Sequence, residues 1–72
     1  MKPAKLIKMA NQIGAFFEAM PNRDQAVKDI AAHIQRNWEP RMRNALLQHI
    51  SSSGSDAELS PMVREALRLV QE

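Results

Sequence analysis

Proline constrains this chain more than any other residue. Pro3, Pro21, Pro40 and Pro61 cut it into pieces of helix length. A proline inside a helix removes a hydrogen bond and clashes with the preceding turn, but at the first helical position its missing N–H costs nothing. Pro3 therefore opens a first helix. Pro21 ends it, because the residue ahead of a proline avoids helical geometry. Asn22 can cap a second helix, with Gln25 three residues on as a weak capping box. Pro40 stops that helix near Trp38 and opens a third at a tight corner. Gly54 is a natural stop for the third, and Ser60-Pro61 a start for the fourth. The expected helices span about residues 4–20, 23–38, 40–52 and 61–71.

Each piece carries an apolar stripe at helical spacing. Leu6, Met9, Ala10, Ile13, Phe16, Phe17 and Met20 fall within an arc of about 120° on helix 1. Val27, Ile30, Ala31, Ile34 and Trp38 line helix 2, and Met42, Leu46, Leu47 and Ile50 line helix 3. On helix 4, Met62, Val63, Ala66, Leu67, Leu69 and Val70 spread over roughly 160°, wider than one neighbouring helix needs. No stretch alternates with the period of a strand, and no internal repeat is present. The Ser-rich run from Ser51 to Ser60 reads as a flexible joint. The expectation is a single all-α domain: a compact three-helix unit, about residues 4–52, plus a C-terminal helix on a flexible joint and less firmly held.

Size limits what such a chain can do. At 72 residues it is one small domain, which buries only about 60% of the surface its unfolded chain exposes. Folds this small usually have a staple. Without Cys there is neither a disulfide nor a thiolate zinc site, and His33 and His49 cannot build a tetrahedral metal site without carboxylate help. A partner is the staple that is left. The formal net charge of +2, from 10 Lys+Arg against 8 Asp+Glu, makes only a weak field, with acids interspersed along most of the chain. Nucleic-acid binding is not indicated. Nor is a membrane span, since no apolar run approaches about 18 residues. Residues 1–8 carry charge with no signal-type apolar run after them, so the expected compartment is the cytoplasm. No catalytic constellation and no phosphate loop is legible, and the expectation is a non-catalytic chain holding no cofactor or metal.

The candidate functional residues are those suited to docking. Trp38 and Arg41 sit at the corner between helices 2 and 3, and Trp and Arg are enriched at binding hot spots. The plainer alternative is that Trp38 plugs that corner and the arginines are solvated. Arg43 falls between Ile50 and Leu47 on the helix 3 wheel, inside the apolar arc. There it must snorkel or meet a carboxylate, either an internal one such as Asp29 or a partner's. Asn11 and Gly14 lie with Ile7 and Glu18 on a second stripe of helix 1, which is either a second contact face or an exposed face with one tolerated glycine. A mid-helix glycine costs about 1 kcal/mol relative to Ala, a cost usually kept for close backbone packing. Asp29, four residues before His33, suggests a local pair, and Lys2, Lys5 and Lys8 read as a solvated face.

The blocks Met9-Ala10-Asn11-Gln12-Ile13-Gly14 with Phe16-Phe17, then Ile30, His33, Trp38 and Pro40-Arg41-Met42-Arg43, then Leu59-Ser60-Pro61 with Val63 and Ala66, resemble the delta subunit of bacterial NAD-dependent, molybdenum-containing formate dehydrogenase. The resemblance runs over roughly residues 5–70, with Asn37 where family members often carry Phe. It implies a small subunit of a cytoplasmic complex that oxidises formate to CO2 and reduces NAD. The alpha subunit would carry molybdenum pterin and iron–sulfur clusters, the beta and gamma subunits flavin and further clusters, and this chain none. The partner-binding set would be Asn11, Gly14, Trp38, Arg41 and Arg43, docked on the alpha subunit. Two other readings compete. One is a helix-turn-helix protein using helices 2 and 3, opposed by a Glu39-Pro40 corner where that motif often has Gly. The other is a homodimer that hides helix 4 in its own interface.

Overall fold

Three of the four prolines stand at the first position of a helix in the computed structural model, which describes residues 2–53 and 55–71. Helix α1 spans Pro3–Phe17, α2 Arg23–Asn37, α3 Pro40–Ser53 and α4 Pro61–Leu67, with a 3-10 turn at Ser55–Glu58. Pro21 lies in the α1–α2 turn. No strand occurs among the described residues, and the fold is all-α.

The helix ends follow from local hydrogen bonding. Asn22 Oδ1 accepts from the Gln25 backbone N–H at 3.0 Å, which caps α2. The reciprocal half of a capping box is not made, since the Gln25 side-chain amide donates to Asp29 at 2.9 Å. Trp38 turns extended (φ −84°, ψ 140°) and ends α2. The carbonyl of Glu39 then accepts from Met42 and Arg43, which starts α3. Helices α1 and α4 are shorter than expected because both finish in tighter bonds to the third residue back. Glu18 and Met20 donate to Ala15 and Phe17, and Arg68, Leu69 and Val70 to Glu65, Ala66 and Leu67.

The core is shared by all four helices. Leu6, Ile30, Ile34, Leu46 and Val63 are its fully buried large side chains, one or more from each helix. Helix α4 packs most extensively on α2 and also lies against α1, while α1 spans α2 and α3. The wide apolar arc of helix 4 has this cause: Val63, Ala66, Leu67 and Val70 are buried, and Leu69 is left exposed. Helix 4 thus adds its apolar face to the same core as the other three helices. The Ser-rich run that suggested a loose joint contains Leu59, which is buried and anchors the chain just before α4. The radius of gyration, 11.1 Å, equals the roughly 11 Å of a compact chain of this length.

Helix α1 departs most from its periodicity. Of the expected stripe only Leu6 and Ala10 are fully buried. Met9, Ile13 and Phe17 are half-buried and Phe16 is exposed. Ile7 and Gly14, from the second stripe, are buried instead. The helix is turned toward α4, which the 120° stripe did not anticipate.

Candidate docking surface

Three places concern the residues singled out from sequence. The first is the end of α2. Arg43, on the first turn of α3, is 8% exposed. Its Nη1 donates to the backbone carbonyls of Trp38 at 2.6 Å and Gln35 at 3.2 Å, and its Nε donates to that of Gln71 at 2.9 Å. The Gln71 N–H in turn donates to Gln35 Oε1 at 2.8 Å. Among the described residues the acceptors of Arg43 are backbone carbonyls, not the carboxylate of Asp29. Asp29 takes the amide of Gln25, and His33 packs its ring on Phe17 at 6.3 Å. The carbonyls at a helix C-terminus lack intrahelical donors and carry partial negative charge. A guanidinium satisfies several of them at once, and a buried cation needs such acceptors. Arg43 is thus a clasp joining the end of α2, the start of α3 and the chain after α4. Its hydrogen bonds are spent inside the fold, and it is not among the residues that line the open groove beside α1.

The second place is the inner side of α1. The side-chain amide of Asn11 pairs with the chain before α4 from both of its ends. Nδ2 donates to the Glu58 carbonyl at 3.0 Å, and Oδ1 accepts from the Ser60 N–H at 3.0 Å. One turn on, a Cβ built at Gly14 would lie 2.5 Å from Val63 Cγ2 and 3.3 Å from Ser60 Oγ. The glycine is what lets α4 approach. Asn11 and Gly14 do form a second contact face, but its occupant is this chain's own fourth helix.

The third place was not foreseen. Between α1 and the α2–α3 corner lies an open groove of about 650 Å³. Helix α1 supplies Met9, Gln12, Ile13, Phe16 and Phe17, α2 supplies His33 and Asn37, and Trp38 and Met42 complete it at the corner. Phe16 is 76% exposed and meets Phe17 edge to face at 5.3 Å. Trp38 is buried to 6% and still reaches this surface. Arg41 is exposed, next in sequence to the groove residue Met42. Of the five candidates, then, Trp38 lines this surface and Arg41 adjoins it, while Asn11, Gly14 and Arg43 serve the interior. The signal for the groove was the Phe16-Phe17 pair. Consecutive residues on a helix stand about 100° apart, so both rings cannot enter one core.

Among the described residues, no group of three or more His, Cys, Asp or Glu is placed to hold a metal ion. Nor, among those residues, is any helix long and apolar enough to cross a membrane. The family model of the NADH-dependent formate dehydrogenase delta subunit, FdsD, matches residues 5–67. Comparison with curated proteins and with solved structures gives no match.

Proposed function

We propose that this chain, which belongs to the NADH-dependent formate dehydrogenase delta-subunit family, acts as a non-catalytic subunit that docks on the large molybdenum subunit and supports the assembled complex. The complex oxidises formate and reduces NAD. Its alpha, beta and gamma subunits carry the redox centres, and this chain carries none. The compartment is the cytoplasm. The observation that carries the reading is the open Met- and aromatic-lined groove, with Phe16 exposed within it. Large exposed apolar surface costs solubility unless something covers it, and such patches mark interaction sites. Trp38 and Arg41 belong to the docking surface, and Arg43 acts indirectly by holding the corner that presents Trp38.

The test is to produce the complex with and without this chain. The expected result is one in which the chain co-elutes with the alpha, beta and gamma subunits. Leaving it out lowers the yield of intact complex, with formate-dependent NAD reduction per bound molybdenum unchanged. A fall in activity per molybdenum in fully assembled complex would show a catalytic part. Failure to co-elute would end the docking reading.

A further inference from the structure

We infer that the groove receives an amphipathic α-helix of another subunit, one that presents large apolar side chains over about two turns and carries carboxylates on the flank facing α1. The inference rests on the docking function proposed above and adds the kind of segment that docks.

Three observations select that occupant. The first is backbone chemistry. An added β-strand needs main-chain partners, as it finds at a sheet edge, and the described residues contain no sheet. A helix satisfies its own backbone groups and can lay an apolar face in a groove without stranding them. The second is dimension. Met9, Ile13 and Phe16 form one ridge of α1, and the seven steps from Met9 to Phe16 rise about 10 Å, two helical turns. A docking helix offers anchors at i, i+3 or i+4, and i+7 over the same length.

The third is charge. No carboxylate lines the groove. Lys5 and Lys8 are exposed four residues before Met9 and Gln12, so they extend the groove-side rows of α1 by one turn. Of the acids beside it in sequence, Glu18 follows Phe17 but lies on the α1 stripe of Ile7, Asn11 and Gly14, away from the groove, while Glu39 and Asp29 belong to the α2 side, and Asp29 already accepts from Gln25. The edge along α1 is therefore cationic and calls for anionic groups opposite. A second copy of this chain does not supply them. Its exposed large apolar side chains are Phe16, within the groove itself, and Leu69, which follows Arg68. The acid on the Leu69 row, Glu65 four residues back, already pairs with Arg23, so among the described residues neither face offers Lys5 and Lys8 a free carboxylate.

The experiment places a photocrosslinking amino acid at Phe16, and separately at Ala15 as a control one position round the helix, in the assembled complex. The expected result is efficient crosslinking from position 16 to one peptide of another subunit, with apolar residues at helical spacing and Asp or Glu beside them. In the same complex, Phe16→Asp should weaken association at least tenfold. Lys5→Glu with Lys8→Glu should weaken it several-fold, more at low salt than at high. All three positions are solvent-facing, so circular dichroism should stay helical. If the chain co-elutes but position 16 does not crosslink, the groove assignment falls and the docking function stands. If the crosslinked peptide lacks acids, or Lys5→Glu with Lys8→Glu binds unchanged, the charge assignment falls. Self-crosslinking, with a dimer of the isolated chain that Phe16→Asp breaks, would assign the groove to a second copy and overturn the proposal. A chain that does not co-elute defeats both readings.

Discussion

The two sides of helix α1 are built on opposite principles. Toward α4 it presents small and exacting groups: Gly14, where no side chain fits, and Asn11, whose amide is used at both ends. Toward the groove it presents Met9, Ile13 and Phe16, large and adaptable groups with room around them. Closeness on the first side comes from removing atoms, and each remaining atom has one partner. Apolar bulk on the second side is only half used by the fold. The side that looks less hydrophobic in the sequence is thus the sealed one, and the most hydrophobic stretch is the open one.

This contrast can be broken from either side. The largest effect is expected on the sealed side. Gly14→Val would push branched carbons into Val63, and overpacking of this kind costs about 3 kcal/mol or more when the neighbour cannot yield. Thermal unfolding should fall by well over about 10 °C in a domain of this size, and an unchanged midpoint would mean that α4 is not held where it is described. Next is Arg43→Ala, which strips donors from three backbone carbonyls. A buried group left unsatisfied costs about 1–3 kcal/mol, so a loss near 3 kcal/mol is expected in urea unfolding, with affinity of the folded fraction for the complex intact. Lost affinity at full stability would return Arg43 to the docking surface. Asn11→Ala should cost about 1–2 kcal/mol and speed hydrogen exchange in residues 61–67 more than in residues 30–34. Phe16→Ser should be the smallest. With the ring already in water, stability should move by no more than about 0.5 kcal/mol, and a clear loss would mean that the groove is closed in solution.

Much of the fold was legible because proline and periodicity act locally. Every residue assigned to the stripe of helix 2, from Val27 to Trp38, is buried. That helix has α1 and α4 packed on it, so its face is used whole. The stripe of helix 1 misled for the converse reason: periodicity shows that a helix has an apolar face, not how much of it a neighbour covers. The burial of Leu59 was not legible because composition averages over residues, and one leucine among serines and acids does not stand out. At Arg43 the position inside an apolar arc was readable, but its partners are backbone carbonyls, which every residue has and no sequence pattern marks. Gly14 carried the right signal of close packing, with the partner helix lying almost fifty residues further along the chain, roughly two-thirds of its length.

The clasp at Arg43 also orders events in time. It cannot close until Gln71 exists, and Gln71 follows Gln35, which it also binds, by 36 positions. On a ribosome adding about 5–20 residues per second, that interval lasts about 2–7 s. For those seconds α2 has emerged ahead of α4, the helix it packs on most, and Ile30 and Ile34 face water or whatever else is near. The native arrangement thus waits on the arrival of the segment whose composition least advertised its importance.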